Sequence, residues 1–262
     1  MSGRAIVGDR PPPRLLAPTV RVRRALAVAG CGVLTVTLSA CESTEQESAK
    51  IGREGQQSSS QGELRLGAVN HSVRVSDATL LSSSGRTAVA VGLTGTSTRT
   101  QANVPLLVNI GGAGGKLLYS NATGGLEASL QHMALLPPRR QAWWVDDQVP
   151  AVAGATAVSV RAGAGTTTRT RSLPDIAVSR VHLGQQSGMP TLSGELVNHS
   201  SSSQSTLPVY AVAVRGGRIV AAGRALVEAL PAHSATPVPF QIFLVGNPAG
   251  AALQVTLAPA VG

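Results

Sequence analysis

The 262-residue chain contains two cysteines, Cys31 and Cys41, both near its amino terminus. Cys41 closes the run Leu38-Ser39-Ala40-Cys41, at the end of an apolar stretch that follows Arg21, Arg23 and Arg24. No thiol follows Cys41, so neither a disulfide nor a thiolate metal site can hold the rest of the chain, which must rely on its core. The histidines, His71, His132, His182, His199 and His233, make no metal-ligand spacing with one another or with a cysteine. His132-Met133 pairs an imidazole with a thioether, as a copper carrier would, but Met133 and Met189 are the only methionines after Met1, and both read as ordinary core or surface residues. There is no Gly-x-Ser-x-Gly elbow, and no Gly-rich phosphate loop ends in Lys-Ser or Lys-Thr. No catalytic residue and no metal are therefore expected.

One constellation stands apart in the body: Trp143-Trp144, preceded by Arg139-Arg140 and followed by Asp146-Asp147. Neighbours on a strand point to opposite faces, so at most one of the two indoles is expected in a sandwich core. The other either packs against the second half of the chain or lies outward, where Trp143 or Trp144, with Arg139 and Arg140, could stack on a sugar ring or anchor a partner. The adjacent carboxylates are no glycosidase signal, because catalytic carboxyls face each other across a cleft.

These residues depend on the segments that place them. Residues 1–24 are rich in Arg and Pro, the sixteen residues Ala25 to Ala40 are apolar or small, and Glu42, Glu45 and Glu47 follow at once. That is the order of an export signal. Sixteen residues are short for a membrane span, which needs about 20, so an uncleaved anchor is the lesser alternative. Leu38-Ser39-Ala40-Cys41 resembles the bacterial lipoprotein signal, in which an aliphatic and two small residues precede a cysteine that becomes diacylglyceryl-modified. The resemblance implies signal-peptidase recognition at Leu38, Ser39 and Ala40, and lipid on Cys41 as the only prosthetic group. Val28-Ala29-Gly30-Cys31 fits the same pattern, but it follows Arg24 too closely to leave a hydrophobic segment before the cut. Arg23-Arg24 raises the twin-arginine route; Val22 before the pair and Ala25 after it favour general secretion.

The net charge of +9 is uneven. Residues 1–40 hold six Arg and one Asp, residues 41–65 five Glu against Lys50, Arg53 and Arg65, and the rest thirteen basic and seven acidic groups. Cleavage before Cys41 therefore leaves a chain at +4, which suits solubility or an anionic lipid or cell-wall polymer. No nucleic-acid partner is expected. The near-exclusive use of Arg over Lys, with abundant Ala and Gly, reads as the bias of a high-GC bacterial genome. From Cys41 to Arg65 the chain is mostly Ser, Glu, Gln and Gly and cannot bury enough apolar area to offset its conformational entropy. It reads as a flexible tether with an r.m.s. span of about 25–30 Å.

From residue 66 on, short apolar runs alternate with Gly, Pro, Ser and Asn. Strands are expected at Val73–Leu81, Thr87–Thr94, Val104–Ile110, Lys116–Ser120, Trp143–Val145 and Thr156–Arg161. A second set follows at Ile176–Leu183, Thr191–Asn198, Leu207–Val214, Arg218–Val227, Val238–Val245 and Leu253–Ala258. Leu126–Leu136 is the sole candidate helix. A shift of 103 residues pairs Val75-Ser76 with Val178-Ser179, Ser84-Gly85 with Ser187-Gly188, Leu93 with Leu196, Gln101 with Gln204 and Pro105 with Pro208. This reads as an internal repeat. Each copy has the size and strand count of an immunoglobulin-like sandwich. The expected fold is all-β: two tandem immunoglobulin-like β-sandwiches, residues 66–165 and 175–262, joined by a linker over 166–174, with one larger β unit as the alternative.

In the second copy, Gly194-Glu195-Leu196-Val197-Asn198-His199-Ser200, Val209–Val214, Gly217–Gly223 and Phe240-Gln241-Ile242 resemble the small extracytoplasmic β-sandwich family known for an FxLYD motif. The motif itself is missing, since Val212-Ala213-Val214-Arg215 stands where its end belongs. The resemblance implies an architecture and no catalytic residues. The function expected from all of this is a non-enzymatic lipoprotein, anchored to the bacterial cell membrane outside the cytoplasm, that binds or scaffolds an envelope protein or cell-wall polymer. A carrier of a small ligand, lipid or metal, at the domain junction or between sheets, is the alternative.

Overall fold

The computed structural model describes residues 63–168 and 173–260. The expected signal peptide, Leu38, Ser39, Ala40, the lipidation site Cys41 and most of the tether lie outside the described residues. The described chain is all-β and builds sheets of a sandwich. Its strands are β1 (Val73–Ser83), β2 (Arg86–Gly95), β3 (Thr100–Gly112), β4 (Leu117–Ser120), β5 (His132–Leu136), β6 (Gln141–Val149), β7 (Ala155–Ala162) and β8 (Thr166–Thr168). The second half adds β9 (Ile176–Gln186), β10 (Met189–Asn198), β11 (Gln204–Arg215), β12 (Arg218–Leu230), β13 (Val238–Phe243), β14 (Val245–Gly246) and β15 (Ala252–Leu257).

Two expectations change. The candidate helix over Leu126–Leu136 is a single 3-10 turn, Ala128–Leu130, followed by β5. Its apolar residues Met133 and Leu135 alternate with half-buried His132 and Ala134, a strand period that the short run concealed. The expected linker begins as a strand, because Thr166–Thr168 pairs antiparallel with the start of β3.

The first half forms the sheet β1-β2-β6 and a second sheet in which β3 pairs with β4, β5, β7 and β8. The second half forms β13-β10-β9 and β14-β12-β11-β15. The 103-residue correspondence recurs in the backbone. Val75 pairs with Leu93 and Val178 with Leu196. Ser84-Gly85 (φ +50°, +74°) and Ser187-Gly188 (φ +51°, +77°) make matching two-residue hairpin turns, with positive φ at both positions as tight turns of that hand require. Thr96 N donates to Ser72 O at 2.8 Å, and its counterpart His199 N to Asp175 O at 2.8 Å. The two Asn-His-Ser stretches are turn chemistry too: Asn70 Oδ1 accepts from Ser72 N and Asn198 Oδ1 from Ser200 N, each an Asx turn. Asn121 is fully buried, its amide donating to Leu106 O and Leu130 O.

The halves are stacked face to face. Residues Ala88 to Leu93 of β2 and Leu207 to Ala213 of β11 are buried without alternation, the mark of strands covered on both faces. In β11, Val209, Ala211 and Ala213 fill the core between the two sheets of the second half. Tyr210 and Val212 share a core with β2 and β6 of the first half instead. The two halves therefore belong to one compact unit and do not sit as separate beads on a linker.

Candidate functional site

Both tryptophans lie on β6, the strand of the first half that packs against β11 and β12 of the second. On β6, Gly92 faces Trp143 and Val91 faces Trp144 across the β2 ladder, so the two indoles leave opposite faces of one sheet. Trp144 is fully buried and its Nε1 donates to Ser129 O at 2.8 Å. Trp143, 7% exposed, turns toward the second half: its Nε1 donates to Gln254 Oε1 at 2.7 Å and its backbone N to Thr256 Oγ1 at 3.0 Å. The outward, partner-stacking role considered for the pair is thereby corrected. A lone sheet would have exposed one indole; here the second half covers it. Arg139 and Arg140 are exposed immediately before β6.

The following carboxylates split in the same way. Asp146, on the Trp144 face, is fully buried and accepts from Tyr119 Oη at 2.6 Å and Gln148 N at 3.0 Å. Burial raises its pKa above the usual carboxylate value; the Tyr119 and Gln148 hydrogen bonds oppose that rise only in part. Burial, reinforced by the Asp146 charge, likewise pushes the Tyr119 phenol up. Asp147 lies on the other face and meets Arg224 of β12, whose Nε donates to Asp147 Oδ1 at 3.3 Å. Arg224 Nη1 also donates to Glu127 Oε2 at 2.8 Å and to Ser129 Oγ. Ser129 O takes a further bond from Tyr210 Oη of β11 at 3.0 Å.

Arg224 is thus the centre of a polar knot that ties β12 to the 3-10 turn and to β6. Its side chain is 5% exposed, against 13% for Asp147 and 48% for Glu127. Burial alone would lower the Arg224 pKa, but the Glu127 hydrogen bond and the Asp147 and Glu127 charges outweigh it and hold the guanidinium charged. Sequence reasoning missed this residue. The available signal was a cation inside the apolar run Val220 to Val227, where a charge needs a buried partner.

Beside the knot the junction opens into a cleft of about 720 Å³, walled by Glu127, Ser129 and His132 from the first half and Thr206, Pro208 and Leu226 from the second. Burial pulls the His132 pKa below its usual value, partly offset by a hydrogen bond to the Ala128 backbone, so the imidazole is neutral at pH 7. Asn103 and Thr206, partners under the 103-residue shift, both line the cleft, and both hold left-handed backbone at φ +49° and +52°. For the β-branched Thr206 that conformation is strained. The cleft offers apolar walls with a carboxylate and a neutral imidazole, a set that can bind a small molecule. Among the described residues no group of three or more His, Cys, Asp and Glu comes together to hold a metal. No protein-family model and no curated protein matches this chain.

Proposed function

We propose that this protein is a non-enzymatic lipoprotein, anchored through lipid on Cys41 to the outer face of the cytoplasmic membrane, that presents tandem immunoglobulin-like sandwiches as a binding or scaffolding body. The observation that carries this reading is Leu38-Ser39-Ala40-Cys41 at the end of an Arg-led apolar run, followed at once by an acidic, Ser-rich segment. Two or three acyl chains hold a protein stably where one holds it marginally, because each buried CH₂ contributes roughly 0.8 kcal/mol. The test is metabolic labelling with a palmitate analogue: label and membrane fractionation should both vanish in Cys41→Ala, and a labelled, membrane-bound Cys41→Ala would sink the reading. Crosslinking in the native envelope followed by pull-down then identifies what is scaffolded.

A second reading is favoured by the junction cleft. Its volume, about 720 Å³, lies in the range of small-molecule sites. In that reading the halves clasp a small, largely apolar ligand beside Glu127 and His132. Native mass spectrometry of the protein purified from its own membranes should then show an added mass that Leu226→Trp removes. A bare mass in both forms would dismiss the carrier.

A further inference from the structure

Four arginines gather at one end of the sheet β1-β2-β6. Arg74 lies opposite Thr94, and Thr94 lies opposite Gln141, which immediately follows Arg140. With strands spaced about 4.8 Å apart, Arg74 and Arg140 stand roughly 10 Å from each other across the sheet. Gly95, at the end of β2, fixes the other side of the cluster: its N donates to Arg140 O at 3.3 Å, and its O accepts from Arg139 N at 2.9 Å. Arg99 lies in the turn just beyond, its N donating to Ser97 Oγ at 3.2 Å. The side chains of all four are exposed. His71 reaches the same corner through the bond from Thr96 Oγ1 to its carbonyl, and nearby Val69 is 51% exposed.

Among the described residues none of these four guanidinium groups is in a salt bridge, although Arg180 and Arg224 both are. Like charges at this spacing repel and are relieved by an anionic partner. We propose that this end of the body is the surface that rests on an anionic lipid bilayer, a proposal that builds on the envelope-anchored reading. The combination of clustered cations with an exposed aliphatic side chain suits a headgroup layer. A sugar polymer would call for an aromatic platform, and both indoles of this protein are buried.

The test is vesicle co-sedimentation of the full chain carrying Cys41→Ser, which has no lipid of its own. The arginines of residues 1–40 are common to every variant and cancel in the comparison. At low salt the protein should partition onto vesicles of phosphatidylglycerol and phosphatidylcholine far more strongly than onto phosphatidylcholine alone. Each arginine near such a surface contributes about fivefold, so R74Q/R99Q/R139Q/R140Q should lower partitioning on the order of several hundred-fold. R161Q/R215Q/R218Q, placed elsewhere, should lower it by only a few-fold. Equal loss per arginine in the two variants, equal binding to neutral vesicles, or binding to soluble polyglycerol phosphate without binding to vesicles would each overturn the proposal. All seven substituted arginines are exposed, and circular dichroism checks that the variants fold. Palmitate labelling of the unaltered chain is read separately, so a failed anchor and a failed surface give different results.

Discussion

Arg224 shows what a single buried charge imposes on this protein. Removing it leaves the largely buried Asp147 and the half-buried Glu127 without their cation, and Ser129 Oγ keeps only its bond to Glu127. Breaking a buried ion pair from one side costs about 3–5 kcal/mol. Because Glu127 keeps access to water, Arg224→Ala should fall near the lower limit, about 3 kcal/mol, in urea unfolding followed by circular dichroism. A loss under about 1 kcal/mol would mean that water reaches the knot. Asp146 tests the opposite imbalance. Its native pKa is raised, so its contribution to stability is complete below the unfolded value of about 4 and is lost as the pH climbs through the native one. Asp146→Asn should therefore raise the melting temperature at pH 7 and leave it unchanged at pH 3. An equal drop at both values would show that geometry at Tyr119, and not charge, dominates. Neither role was legible beforehand: the sequence places Asp146 and Asp147 after Trp144 but says nothing of Tyr119, which reaches Asp146, or of Arg224, which reaches Asp147, only through the fold.

Strands β2 and β10 carry the contrast between the halves at the level of elements. Their bounds differ by the repeat shift, and both turn Val or Leu inward: Val89 and Leu93 in β2, Leu192 and Leu196 in β10. Their outer faces diverge. β2 presents Ala90 and Gly92, and the Trp143 ring sits where a Gly92 side chain would start, with Cζ3 2.9 Å from the ideal Cβ position. β10 presents Ser193 and Glu195 at the equivalent places, Glu195 pairing with exposed Arg180 at 3.1 Å. The small residues belong to a face that is covered and the charged ones to a face that meets water. Exchange of the two types should be strongly asymmetric. Gly92→Glu would drive a carboxylate into the junction and should cost more than about 4 kcal/mol, whereas Glu195→Gly should cost about 1 kcal/mol or less, both measured by denaturant titration. Similar costs at the two positions would mean that the halves do not pack through this face. The strand ladder was readable because a period of two, broken by Gly, Pro and Ser, survives in a single sequence. The Ala-Gly face was not, since small residues on a strand can mark either a covered face or none at all.

At the level of the whole molecule, the stacking of the halves decides how the body unfolds. Sandwiches joined by a free linker would melt as two units, each keeping its own core. Here Tyr210, Val212 and Ala222 of the second half share a core with Ala90 and Trp143 of the first, and Arg224 joins the same junction. Opening either half alone would expose the Trp143 face together with a buried cation and its carboxylates. The cost of that exposure couples the halves, and one transition should result. Tryptophan fluorescence reports only the first half and the junction, because Trp143 and Trp144 are the sole indoles. Far-ultraviolet circular dichroism weights all strands. The two signals should fall together in urea, with a single midpoint and a slope proportional to the surface of both halves. Should fluorescence be lost at lower urea than ellipticity, the second half stands without the first and the junction is only a contact. Coincident loss followed by separation of the two signals in Arg224→Ala would instead locate the coupling in the knot, and would make the cleft beside it a place where a bound ligand adds to the stability of the entire body.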